Sequence, residues 1–133
     1  MILAVADTHA VIWYLFKNPQ LSARAFSRFN RAVDTGNQIA VSSVTFVEIV
    51  YLLEKGRIPA TTLEVIAMEM QKAHALIVEV PLDLSISKAM ASVSRAAVPD
   101  MPDRIIAATA VHLGVPLISR DRRIQLSEVE TVW

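Results

Sequence analysis

The stretch Ile2-Leu-Ala-Val-Ala-Asp-Thr-His9 is an unbroken apolar run that stops abruptly at Asp7, Thr8 and His9. A half-wet strand would alternate apolar and polar residues, so this run predicts a strand covered on both faces. Ala10 to Phe16 then predicts a short helix, stopped by Asn18-Pro19. Ser22 is placed to cap a helix from Ala23 to Thr35, with Gly36 at its end. Ile39-Ala-Val41 reads as a second strand, and Val44 to Lys55 as a helix closed by Gly56. Thr61-Thr-Leu-Glu64 has the form of a capping box opening a helix towards His74. Leu76 to Val80 is a third strand, Ser85 to Ala97 a helix broken by Val98-Pro99, and Asp103 to Leu113 a helix ending at Gly114. Pro116 to Ile118 and Val129 to Trp133 complete a set of four to five strands. Strands alternating with helices predict a mainly parallel sheet in a three-layer α/β fold, because parallel neighbours need crossover connections.

The 133 residues suit one domain spanning 1–133, with 13 Lys+Arg against 13 Asp+Glu. Hydrophobic residues make up 53% and the mean hydropathy is +0.42, high enough to raise the question of a membrane. The longest apolar run, Ala10 to Phe16, is only seven residues, whereas a membrane helix needs about 20. The apolar content is therefore expected in a core. No positive stretch precedes the first apolar run, and we expect a cytoplasmic protein. The absence of cysteine excludes disulfides, thiolate nucleophiles and cysteine-ligated zinc. A neutral balance also argues against a protein that coats nucleic acid through uniform positive charge.

Ligands of open α/β sheets bind outside the carboxyl ends of the strands. Four acids fall there by topology: Asp7 after the first strand, Glu48 early in the helix after the second, Asp103 opening the helix that feeds the fourth, and Asp121 just beyond the fourth. Each has a local explanation. Glu48 completes a possible capping box with Thr45, and Asp100 reads as the N-cap of the helix in which Asp103 is favoured by the helix dipole. Together they suggest more, since clustered carboxylates repel unless a cation compensates. Oxygen ligands without a cysteine or histidine cluster select hard cations, Mg²⁺ or Mn²⁺. His9, His74 and His112 lack metal-ligand spacing and are expected at the surface or partly packed.

Asp7-Thr8-His9, Ser43-Val-Thr-Phe-Val-Glu48, Asp100-Met-Pro-Asp103-Arg104 and Leu117-Ile-Ser-Arg-Asp121, in this order over nearly the whole chain, resemble the PIN domain, and within it the VapC-type ribonuclease toxins. The resemblance implies a PIN-like fold with a central first strand and hydrolysis of RNA phosphodiesters with Mg²⁺. It matches Asp7 and Asp103 to the principal metal ligands, Glu48 and Asp121 to the remaining acids, and Thr8 and Ser119 to hydroxyls that bind acids or waters. One departure is visible: the family pattern Asp-Pro-x-Asp-Arg has its proline displaced by one, at Pro102.

Setting the four acids aside leaves 13 basic against 9 acidic residues, a remainder of +4. Nine of the basic residues are arginine, and Arg104, Arg120, Arg122 and Arg123 stand beside Asp103 or Asp121. They form a candidate RNA-binding rim, because the guanidinium fork suits phosphate. Core packing is the default for Trp13, Tyr14, Phe16, Phe26, Phe29, Phe46 and Tyr51, with some left to face a homodimer partner or an antitoxin helix. Two rival readings are a PIN-fold binding module with little turnover and a phosphoacceptor receiver domain. The second would want paired acids after the first strand, where Asp7 stands alone.

Overall fold

The computed structural model describes residues 1–133. Its five strands are β1 (Ile2–Ala6), β2 (Gln38–Ser42), β3 (Ile77–Val80), β4 (Leu117–Ile118) and β5 (Thr131–Val132), all parallel, in the order β3-β2-β1-β4-β5. The central strand is β1, with Val5 opposite Ala40 on one flank and Leu117 on the other. Successive side chains go to opposite faces. Ala4, Ala6, Ile39, Val41 and Ile118 accordingly join one buried cluster, and Val5, Ala40 and Leu117 the other.

Helices α1 (Thr8–Leu15), α2 (Ala23–Thr35) and α4 (Thr62–Met70) cover the first face, joined by Ile49 of α3 (Ser43–Glu54). Helices α5 (Leu84–Ala89), α6 (Met101–Leu113) and α7 (Arg122–Gln125) cover the second. This is the three-layer architecture expected of a doubly covered parallel sheet. The chain builds outward from β1 through β2 to β3, then crosses to β4 on the other flank of β1. That reversal opens a crevice at the carboxyl ends of β1 and β4. Gly114 turns α6 into β4 with φ +67°, and Val115 N–H donates to the Ala110 carbonyl at 3.2 Å to close the helix end.

Several boundaries differ from the sequence reading. The helix expected over Ser85–Ala97 ends at Ala89 and tightens into a 3₁₀ turn over Met90–Ser92. The reason is tertiary: Arg104 on α6 donates from Nε to the Val93 carbonyl at 3.0 Å and from Nη2 to the Met90 carbonyl at 2.9 Å, so those acceptors need no further helix. The Thr61 capping box does not form, since Thr61 makes no capping bond and α4 stops at Met70. Helix α1 starts earlier than expected, at Thr8, because Asp7 caps it. Pro102 lies in the first turn of α6, where a missing N–H breaks no helical bond.

Candidate active site

A cleft of about 330 Å³ lies at the switch point and is lined by all four acids singled out in the sequence, together with a fifth, Asp100. Asp7 ends β1. Its N–H donates to the Ile118 carbonyl at 3.0 Å, and its Oδ1 accepts from Ala10 N–H at 2.9 Å as the N-cap of α1. Two backbone bonds thus tie it to β4 and to its own helix. Asp121 is fixed in the same manner beyond β4: its Oδ1 accepts from Arg123 N–H at 2.8 Å and Ile124 N–H at 3.1 Å, capping α7. Asp103 is the third residue of α6, aimed from its first turn.

Glu48 is not a capping partner. Ser42 caps α3 by accepting from Val44 N–H at 3.2 Å. The buried Thr8 hydroxyl donates to Glu48 Oε1 at 2.6 Å, across from α1 to α3. The Thr8 and Thr45 hydroxyls are 3.2 Å apart. A hydroxyl has a single proton, and that of Thr8 goes to the carboxylate, so Thr45 supplies the proton between the two threonines. Ser119, fully buried, accepts from Asp121 N–H at 3.0 Å and hydrogen-bonds the Asp7 carboxylate. Both hydroxyls matched by resemblance to acid-binding positions therefore touch the acids.

Three of the acids hold protons more tightly than an ordinary carboxylate. Burial pushes Asp7 up, against hydrogen bonds from Ser119 and the Ala10 N–H that favour its charged form. Burial also raises Glu48, opposed by its bond from Thr8. Asp103 is pushed up to about 7, first by burial and then by the negative charge of Asp100, Asp121, Glu48 and Asp7. The only ion pair in the molecule, Lys72 with Glu69 at 2.6 Å, is elsewhere. The cleft thus holds a concentration of negative charge without a paired side-chain cation.

That donor set fits a hard divalent cation, which prefers oxygen ligands and would offset the repulsion. No three acidic or imidazole side chains converge as a ready-made cage. Mg²⁺ suits such a site, since it is commonly held by one or two carboxylates and keeps much of its water.

The arginines divide. Arg120 lines the cleft, its guanidinium 4.5 Å above the centre of the Trp13 ring. Arg122 and Arg123 are exposed on α7, outside the cleft lining. Arg104 departs from the expected rim altogether: its guanidinium is spent on the Met90 and Val93 carbonyls. Asp100, His9 and Trp13 also line the cleft, though the sequence placed Asp100 as a cap, His9 at the surface or partly packed, and Trp13 in the core. Asp100 makes no capping bond and presents an exposed carboxylate to the cleft; the capping pattern concealed it. His9 is exposed at the cleft and packs against Trp13, ring centres 5.4 Å apart. The signal for His9 was its place two residues after Asp7, and for Trp13 its i, i+4 spacing from His9 on α1. His74 and His112 are exposed and line no part of the cleft.

A parallel α/β sheet with carboxylates massed over its switch point defines an acid-centred α/β domain. The chain belongs to the PIN domain family, whose model matches residues 4–130. It is similar to Ribonuclease VapC22 of Mycobacterium tuberculosis (strain H37Rv), 26% identical over 125 residues that span 94% of this chain and 92% of that protein. In fold it is similar to a chain of VapBC2 from Rickettsia felis, a complex bound to a DNA fragment from its promoter, with a TM-score of 0.69, 12% identity and coverage of 98% and 97%. A toxin–antitoxin complex from Klebsiella pneumoniae gives a TM-score of 0.55 at 22% identity, over 91% of this chain and 89% of that one.

Proposed function

We propose that the protein is a cytoplasmic, metal-dependent endoribonuclease that hydrolyses RNA phosphodiester bonds, with Mg²⁺, or Mn²⁺ as the alternative, held by Asp7, Glu48, Asp103 and Asp121. The observation that carries this reading is the gathering of five carboxylates in one cleft without a paired cation. The likeness to a protein named a ribonuclease supports RNA as the substrate. When bound, the cation supplies Lewis-acid chemistry, offsetting charge at the phosphate and easing proton loss from water. The chain's own residues do the positioning. Backbone bonds to Asp7 and Asp121 fix the acids at the strand ends, and Thr8 holds Glu48. Asp103, pushed up to about 7 by burial and by its acidic neighbours, is the acid whose charged form a bound cation would favour most. No protein nucleophile is assigned: Thr8 and Ser119 are committed to acids, Ser42 accepts from Val44 N–H and Ser43 from Leu82 N–H. None of the four bonds a histidine that would activate it.

We also propose that it acts as the toxin of a toxin–antitoxin pair and forms a homodimer. Supporting a protein partner, Val47, Val50 and Tyr51 recur at i, i+3, i+4 on α3 and are 54%, 42% and 62% exposed. The decisive experiment for the activity incubates wild type, Asp7→Asn and Asp103→Asn with single-stranded RNA in Mg²⁺ or EDTA. Each substitution is expected to slow cleavage by about 10²–10³-fold, on the scale of losing one preorganised electrostatic group, and EDTA to abolish it. Equal cleavage by all three proteins, or indifference to EDTA, overturns the reading.

A further inference from the structure

Helix α2 carries Arg24, Arg28 and Arg31 at i, i+4 and i+7, hence on one face and spread over roughly 10 Å of helix. They line a groove of about 370 Å³ between α2 and β5, together with Ala23, Ser27 and Val132. No acid lines it, and none of the three arginines forms an ion pair. Three like charges on one helix face repel, and nothing in the fold requires them.

Two independent links join this groove to the cleft. Arg120, at the cleft, donates from Nη1 to Gln20 Oε1 at 3.4 Å, and Gln20 lies in the turn that leads into α2. Trp13, under the Arg120 guanidinium, packs against Trp133 with ring centres 5.9 Å apart, and the adjacent Val132 lines the groove. The geometry points to a continuous phosphate-binding track for single-stranded RNA, running from Arg120 at the cleft mouth along Arg24, Arg28 and Arg31. A strand with one phosphate over the acids has its neighbouring phosphates delivered to α2. Arginine's weakly hydrated, planar fork suits repeated contact with phosphate oxygens. The groove is an electrostatic guide rather than a reader of bases, since its lining offers two small apolar residues and one hydroxyl besides the arginines.

The track rests on the proposed ribonuclease reading, and its test separates the two. The triple variant Arg24→Ala/Arg28→Ala/Arg31→Ala keeps good helix formers on α2. Binding of a fluorescent RNA of about 20 nucleotides is measured in EDTA over a salt series, and cleavage in Mg²⁺ of that RNA and of one of about four nucleotides. The variant is expected to bind the long RNA about tenfold or more weakly, with a log–log salt slope shallower by about two, from about 0.7 per lost phosphate contact. It is expected to raise KM for the long RNA with kcat unchanged and to cleave the short RNA like wild type, which also reports an intact fold. Unchanged long-RNA binding and slope, or an equal loss on both RNAs, overturns the track. So does a polyglutamate peptide that binds wild type but not the variant while RNA binding is unchanged; that result assigns the groove to an acidic protein. Should wild type cleave no RNA while the variant still loses long-RNA binding, the track stands and the nuclease reading falls.

Discussion

In the layer beneath α2, Ala25, Phe29 and Ala32 join Ala4 and Ala6 of β1, all apolar and all fully buried. At the end of the same strand, Asp7 faces four other carboxylates. The first region is held by burial, which is roughly proportional to area and indifferent to direction. The second is held by directed hydrogen bonds. Four of the six buried polar residues, Thr8, Ser42, Thr45 and Ser119, stand at or just beyond the carboxyl ends of β1, β2 and β4, and no buried side-chain polar atom lacks a partner. The cleft is therefore satisfied in hydrogen bonds and unsatisfied in charge. Stability resides in the layers, and the gathered carboxylates of the cleft lower it.

The sharpest break of this contrast is Phe29→Ala. It is expected to cost about 3–5 kcal/mol of unfolding free energy through lost burial and a residual cavity, measured by urea denaturation, while RNA cleavage per folded molecule is unchanged. Loss of activity in the folded fraction would show that layer and cleft are not separable. A smaller effect is expected from Arg104→Met, about 1–3 kcal/mol, because the Met90 and Val93 carbonyls lose their charged donor. Its RNA affinity and salt slope should match wild type, which a binding titration over a salt series checks; a weaker affinity with a shallower slope would return Arg104 to the substrate surface.

The smallest effect concerns pH. Asp103 titrates near 7 in the folded protein and near 3.8 as a free side chain, so between those values the native state holds the extra proton. Stability then falls as pH rises across that window, the group's penalty being absent below about 3.8 and complete above about 7. Without divalent cation, Tm should decline from pH 5 to pH 8, and Asp103→Asn should flatten that decline. Excess Mg²⁺ should flatten it too, by binding the native state. An unchanged slope in the variant would remove Asp103 from the charged cluster.

How far the sequence could be read varied with the range of the interaction concerned. The run from Ile2 to Ala6, Ser22 and Gly36 around α2, and the turn at Gly114 were legible because caps and burial periodicity act within a few residues. Placement of Asp7, Glu48, Asp103 and Asp121 on one edge followed from strand–helix alternation, since parallel strands all end on the same side. Asp100 and Glu48 shared a local capping pattern, and sequence could not tell the helix's own use of an acid from the cleft's. Arg104 was grouped with Arg120 by adjacency to an acid, yet on α6 a neighbour in sequence points about 100° away.

Periodicity, caps and strand–helix alternation thus settled in the sequence itself a doubly covered parallel sheet with one carboxylate-rich edge. Tertiary structure alone decided which hydroxyl serves which acid, that Arg104 closes α5 and its 3₁₀ turn, and that Arg120 reaches both Trp13 and Gln20. Those choices depend on residues far apart in the chain, Thr8 with Glu48 or Gln20 with Arg120, whose meeting is set by packing of the layers and not by any local preference.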